Sequence, residues 1–305
     1  MKKSLLFFLI LISVSSVNAQ AWRYVRNEVF FGVGATNFLG DLGGSQGIGT
    51  HGIKDLKFSM TRPTMMLGYK YALSPYFSAK VTGIYGLIHG DDAVTKNIVR
   101  NTRNLSFRSV IGEFSAILEY YPMQERIKPR YKIKGVKGNK AFSLMPFFYA
   151  GVGVTFFNPK AEYDGTWYAL QPLATEGQGM AGREDKYKRY TLAIPMGVGL
   201  KYVIDKQWSV SFELSLRYTM SDYLDDVSTS YYLNDEIVAA NGDVAGALAD
   251  RAVNTDLGLT GIHPLPDGRN NYLQRGDPTY NDAYMFGLFS VHYRFKQKEL
   301  FIPKF

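Results

Sequence analysis

Trp208-Ser209-Val210-Ser211-Phe212-Glu213-Leu214-Ser215-Leu216-Arg217-Tyr218-Thr219-Met220-Ser221 alternates without a break, large apolar side chains at even positions and small or charged ones at odd positions. A period of two is the repeat of a strand, so each set lines one face. Immediately upstream, Tyr190, Leu192, Ile194, Met196, Val198, Leu200, Tyr202 and Ile204 alternate in the same way, and Asp205-Lys206-Gln207 joins the two segments as a hairpin. Trp208 with Tyr218, and Tyr190 with Tyr202, put aromatics near the ends of these strands, where a membrane barrel carries its interface girdles.

The same period recurs over residues 29–35, 63–73, 77–87, 110–120, 142–156 and 283–295, which brings the candidate strands to eight. Strands of about 10 residues tilted near 45° cross an apolar band about 25 Å tall, and eight is the smallest common even number for a bacterial outer-membrane barrel. The sequence therefore predicts an all-β fold, an eight-stranded antiparallel transmembrane β-barrel of the outer membrane. A soluble β-sandwich is the competing architecture, but it buries its apolar face against a second sheet and seldom uses such long, even strands. Tyr and Phe number 22 and 20, and no apolar run after the N-terminal segment reaches the roughly 20 residues of a spanning helix.

The connections alternate in length. Leu73-Ser74-Pro75 and Asp205-Lys206-Gln207 are tight, whereas residues 38–61, 88–106, 158–188 and 222–282 are long. Barrels of this kind keep short turns in the periplasm and long loops outside, so a periplasmic N-terminus places all four long stretches outside. Residues 122–140 break the rule, being long yet periplasmic by parity. There Arg126, Lys128, Arg130, Lys132, Lys134, Lys137 and Lys140 face the single acid Glu125. Such a segment suits docking to an acidic partner, since complementary charge sets encounter rate and register. A solvated charge run, contact with peptidoglycan or anionic lipid, and an extra hairpin over residues 131–136 are the alternatives.

Lys2 and Lys3, the apolar run from Leu5 to Ile12 and the small residues near Ala19 read as a cleaved secretory signal over residues 1–19, leaving residues 20–305 as a single barrel domain. Cleavage takes the formal charge from +8 to +6, because two lysines and no acid are removed. Cysteine is absent, which excludes disulfides, a lipid-modified Cys anchor, thiolate metal sites and Cys nucleophiles.

If the apolar set faces lipid, the opposite set contains Glu28, Lys70, Lys80, Glu113, Glu119, Lys201, Glu213, Arg217, His292 and Arg294. The interior of an eight-stranded barrel is filled by side chains, so these ten are expected to form an ion-paired, hydrogen-bonded plug, unpaired charge there being costly. A wide diffusion pore is not expected. Gly32, Gly34, Gly151, Gly153, Gly197 and Gly199 fall on the same face, where a missing side chain relieves crowding. A dinucleotide fingerprint starting at Gly32 and Gly34 needs glycine at position 37, which is Asn.

Catalysis has little to stand on. His51, His89, His263 and His292 are scattered, with no metal-ligand spacing, and no nucleophile elbow is present. No enzyme activity, metal or cofactor is expected, and nucleic acid is not an expected partner. Asp222-Tyr223-Leu224-Asp225-Asp226 supplies oxygens of the kind calcium favours, but without an EF-hand pattern it reads as a hydrogen-bonded loop anchor. Asp222 to Ser228 is expected to meet Thr175 to Gly179 at the outer rim, on the same side of the membrane, where the two order loops of neighbouring hairpins.

The loop sequences carry more than periodicity does. Glu28-Val29-Phe30-Phe31-Gly32-Val33-Gly34 leads into Asn37-Phe38-Leu39-Gly40-Asp41-Leu42. Asn158-Pro159-Lys160-Ala161 follows, with Leu170-Gln171-Pro172-Leu173 and Thr175-Glu176-Gly177-Gln178-Gly179, and then Asp222-Tyr223-Leu224-Asp225-Asp226-Val227-Ser228. In this order they resemble the PorG-like outer-membrane proteins of the type IX secretion system, over most of the mature chain. Phe38 stands where many relatives have Tyr, and the insert over residues 234–282 matches no pattern. The resemblance implies a Bacteroidota-type envelope and a non-catalytic barrel, one chain within a larger assembly, associated with a periplasmic ring of a PorK-like lipoprotein and a PorN-like protein. Gliding-linked, secretion-linked and structural roles are all compatible with it, and a small adhesion or transport barrel is the alternative.

Overall fold

Eight strands close on themselves in the computed structural model, which describes residues 26–42, 58–95, 97–123, 144–205, 207–253, 256, 258–264 and 270–295. They are β1 (Asn27–Leu39), β2 (Arg62–Ala72), β3 (Phe77–Asp91), β4 (Ser106–Tyr120), β5 (Leu144–Tyr163), β6 (Tyr190–Val203), β7 (Trp208–Thr219) and β8 (Ala283–Arg294). Each pairs antiparallel with its neighbours in sequence, and β1 pairs with β8, so the sheet has become an up-and-down barrel. Closure lets the strands satisfy one another's backbone groups, the condition for crossing hydrocarbon with strands. The expected signal segment and the basic residues 126–140 lie outside the described residues.

The tight turns have local causes. Ser74 Oγ accepts from the N–H groups of Tyr76 and Phe77 at 3.2 and 3.0 Å, and Asp205 Oδ1 accepts from those of Gln207 and Trp208, both at 2.7 Å. These side-chain caps replace backbone partners that a short turn leaves orphaned. Both turns lie at the end of the barrel where β4 stops and β5 starts, which we call the turn end. Residues 40–61, 92–105, 164–189 and 220–282 all connect strands at the opposite, loop end.

The outer wall is apolar. Leu67, Phe114 and Val152 are 64%, 62% and 67% exposed, with Phe31, Phe212, Leu214 and Phe289 beside them about half exposed. A continuous coat of such side chains is what a wall facing hydrocarbon presents, and water would disfavour it. Aromatics bound it on both sides: Tyr202, Trp208 and Tyr120 towards the turn end, Tyr85, Phe156, Tyr190 and Tyr218 towards the loop end. From Trp208 to Tyr218 the usual strand rise and tilt give a height of about 24 Å, the thickness of such a belt. The molecule is an outer-membrane type β-barrel.

Four strands run several residues further towards the loop end than the periodicity predicted, β4 among them, since it begins at Ser106 rather than at residue 110. β1 continues past residue 35 to Leu39, β3 past 87 to Asp91, and β5 past 156 to Tyr163, where it folds back on a short strand, Thr166–Ala169. Above the belt the polarity inverts. On β5 the outward residues become Asn158, Lys160 and Glu162 while Phe157 and Ala161 are buried; on β4 Arg108 points out and Phe107 in. Within lipid an apolar residue belongs outside, and in water inside, so a strand that leaves the membrane must exchange its faces. Most of the ions lie in the turn half of the interior, whereas Met66, Ile84, Ile88, Ile111, Phe286 and Leu288 belong to an apolar cluster that begins at belt level, beside the outward Leu67 and Phe289, and continues upward to Phe107 and Phe157.

The long connection over residues 220–282 supplies a lid to this core. It forms two short helices, Asn234–Asn241 and Asp243–Ala249, and a small hairpin of Ile262–Pro264 with Asn270–Tyr272. Leu224, Val227 and Leu248 drop from it into the apolar core.

Candidate functional site

All ten polar residues assigned to the lumen are buried there. Glu28 lies 2.7 Å from Lys201, 2.9 Å from Arg294, 2.6 Å from His292 Nδ1 and 3.7 Å from Lys70. Lys70 continues to Glu119 at 2.7 Å, Glu119 to Lys80 at 3.1 Å, and Lys80 to Glu213 at 3.0 Å. One chain of ions thus crosses the interior and ties together strands far apart in sequence. Nearer the loop end Arg217 pairs with Glu113 at 3.1 Å.

Residues the alternation did not single out complete the network. Tyr121 donates to Glu119 at 2.7 Å, Tyr284 to Glu113 at 2.8 Å, and Ser211 Oγ lies 2.7 Å from His292 Nε2. Aromatic side chains fill what remains: the rings of Tyr149 and Phe147 lie across Gly197 and Gly199, where a Cβ would come within 2.6 Å and 2.2 Å of them. Gly197 and Gly199 thus make room for rings, whereas Gly34 and Gly151 lie against neighbouring backbone, and buried rings pack among the ions of the turn half.

At the loop end the structure brings together the two motifs quoted above. Glu176 is buried and accepts from the N–H groups of Ser228 and Thr229, each at 3.0 Å, from Thr229 Oγ1 at 2.7 Å and from Arg275 Nη1 at 3.1 Å. Asp226, held at φ +69°, accepts from Thr175 Oγ1 and from Tyr187 OH. Tyr223 stacks on Tyr187 with centroids 4.7 Å apart. Gly177, at φ +76°, packs against the Tyr232 ring, so a side chain there would meet both strain and a clash.

Sequence reading missed the two arginines that complete this cap. Arg275 also donates to Asp226 O at 2.8 Å. Arg103 grips Asp92 at 2.7 and 3.0 Å, donates to Asp41 O at 2.8 Å and reaches the carbonyl of Arg275. Four loops are stapled through these contacts. Asn37 donates to Thr61 Oγ1 at 3.4 Å and Gly40 sits against Asp282, so the first motif joins the same assembly. The proposed basic docking residues Arg126, Lys128, Arg130, Lys132, Lys134 and Lys137 lie outside the described residues, but the flanking strands leave and re-enter at the turn end.

Beneath the cap Asp41, Asp222, Asp225 and Asp282 are all buried. Asp225 accepts from the N–H groups of Leu42 and Val227, Asp282 from that of Leu224, and Asp41 from that of Asp277. Among the described residues no three acids or histidines stand in an arrangement ready for a metal ion. Burial, then the neighbouring carboxylates, pushes Asp222 up to about 9 and Asp225 and Asp282 well above the usual range; burial raises Asp226 to about 6 against the pull of Arg275.

A carboxyl raised in the folded state stabilises it fully below its unfolded value, near 4, and that contribution fades as pH rises through the folded value. The cap is therefore expected to loosen between about pH 6 and pH 9. Hydrogen exchange of residues 222–229, corrected for intrinsic rate, should show weaker protection at pH 9 than at pH 6. Asp222→Asn with Asp282→Asn should flatten that slope, and a slope unchanged in the double variant would rule these carboxyls out as its origin.

The family described as Domain of unknown function (DUF6089) matches residues 2–241. No curated protein matches the sequence. Among solved structures, Neisserial surface protein A (NspA) is similar at 7% identity with a TM-score of 0.36, over 88% of this chain and 97% of its own. The outer membrane protein OprG from Pseudomonas aeruginosa matches at 9% identity and 0.36, over 90% and 98%. Outer Membrane Protein W of E. coli matches at 15% and 0.35, over 88% and 98%.

Proposed function

We propose, for a chain that belongs to the family described as Domain of unknown function (DUF6089), a non-enzymatic role as an outer-membrane barrel that anchors a secretion assembly and does not conduct. The supporting observation is the lumen. Its turn half is filled by paired charges and its loop half by an apolar core under a lid, so the barrel works through its two ends. The loop motifs that resemble PorG-like proteins direct the finer reading: a type IX secretion component, its long loops outside, its turn end facing a periplasmic ring of PorK-like and PorN-like proteins. The contact we assign is the basic connection from Arg126 to Lys137.

Charge reversal tests it. Replacing Lys128, Arg130, Lys132 and Lys134 by Glu should leave outer-membrane fractionation and heat-modifiable migration intact while lowering co-purification with the ring lipoprotein about tenfold or more, with export of cargo falling too. Labelling of these positions from outside the cell by a membrane-impermeant reagent would overturn both the topology and the contact. The ordered cap supports a second reading, an adhesion barrel acting through its outer loops. A deletion strain that secretes normally but adheres poorly would favour it.

A further inference from the structure

We propose that the groove between the loop ends of β5 and β6 binds the phosphate of an anionic lipid whose acyl chains run down the barrel wall. It rests on the membrane reading of the apolar belt. The groove, of about 580 Å³, is lined by Lys186, Lys188 and Arg189 above and by Phe156 and Tyr190 below, with Gln171 at its side; its lining includes no carboxylate.

The height of the groove identifies the ligand. Phe156 and Tyr190 are partners across the β5–β6 pair, 55% and 53% exposed, with ring centroids 6.3 Å apart. They are the last outward aromatics of the belt on these strands, at the level where aromatic rings meet lipid headgroups. The cations begin immediately above. Lys188 Nζ stands 5.9 Å from the centre of the Tyr190 ring, and Lys186 Nζ is held by the carbonyl of Pro172 at 2.7 Å. On β5 itself Lys160, and on β4 its cross-strand partner Arg108, stacked 3.4 Å over Trp167, continue the positive level before Glu162 ends it.

The site is also rigid. Tyr187, between the lysines, stacks on Phe157 and on Tyr223 and donates to Asp226 at 2.6 Å, so the segment carrying the three cations is fixed to the cap before any ligand arrives. A ligand here touches hydrocarbon and three cations together. A free anion would use only the second half of that surface; a lipid phosphate uses both.

The test is native mass spectrometry of the full chain refolded in zwitterionic micelles. Dilauroyl phosphatidic acid, dilauroyl phosphatidylcholine and inorganic phosphate are added separately. Phosphatidic acid should be retained at least tenfold better than phosphatidylcholine, and Lys186→Gln with Lys188→Gln and Arg189→Gln should remove that preference. The single variant Lys188→Glu should weaken it several-fold. Heat-modifiable migration is read on every variant, so a failure of the barrel reading is seen separately. Equal retention of the two lipids, or full retention by the triple variant, overturns the proposal. Inorganic phosphate binding as tightly as phosphatidic acid overturns it in favour of a free-anion site.

Discussion

Glu119→Leu is expected to lower the unfolding free energy of the barrel by about 3–5 kcal/mol, the cost of breaking a buried ion pair from one side. Glu119 is fully buried and meets Lys70 at 2.7 Å, Lys80 at 3.1 Å and the Tyr121 hydroxyl at 2.7 Å. Without it Lys80 keeps Glu213, but Lys70 keeps only the neutral Tyr121 hydroxyl at 3.0 Å and, as its one remaining described carboxylate, Glu28 at 3.7 Å. An ammonium stranded among Phe30, Tyr121 and Phe147 gains some cation–π attraction, which is worth less than the lost carboxylate. Adding Lys70→Met should recover part of the loss, since it removes the stranded charge, and the double-mutant cycle reports the coupling directly. Urea unfolding in micelles, followed by tryptophan fluorescence, is the measurement. A loss under about 1 kcal/mol would mean that water reaches these ions and that the turn half is wet.

The second large effect is expected at the other end. Glu176→Ala removes one carboxylate that four donors share, on Ser228, Thr229 and Arg275, and leaves Arg275 buried with the Asp226 carbonyl as its remaining described acceptor. The cap should open locally at a free energy lower by about 3 kcal/mol, while the barrel beneath keeps its own cooperativity. Cleavage that follows the open population then accelerates by about 100-fold or more. Trypsin added to the refolded protein should cut residues 220–282 faster at Arg251 and Arg275, with cleavage at Arg269, the third tryptic position of this stretch, scored separately, and migration of the unboiled barrel should not change. Glu176→Gln keeps the shape but not the charge and should fall between. Cutting rates within twofold of the parent would show that the loops are held by their apolar contacts instead.

The strands and their lumen charges were legible because the lipid belt imposes one rule at a time: outward apolar, inward polar, repeated from Trp208 to Thr219 without interruption. Legibility failed where a second solvent enters. On β8, Tyr284, Phe286 and Leu288 share the inward phase with His292 and Arg294, so the inward face is apolar at one end and ionic at the other. The ten polar positions of that face could be named from the alternation, but its apolar members could not, since an inward apolar side chain carries no mark that distinguishes a core from a lipid-facing wall. The cap was half visible. Thr175, Glu176, Asp225 and Asp226 stood out because they belong to compact runs of small, polar and acidic residues, whereas Arg103 and Arg275 are single arginines in long loops. Their roles come from a contact between positions 103 and 275, which no local pattern encodes.

The pairing of the first strand with the last has a kinetic consequence. Glu28 on β1 receives Lys201 from β6, then His292 and Arg294 from β8, so its compensation comes from contacts as much as 266 residues apart. Until β8 docks, a growing sheet carries at its leading edge a carboxylate short of two of its partners. Sealing the seam and neutralising that carboxylate are one event. The high mean sequence separation predicts slow folding, and the shared charge makes the final zipping step all-or-none: a sheet of seven strands has neither a closed edge nor a balanced interior, and gains both together.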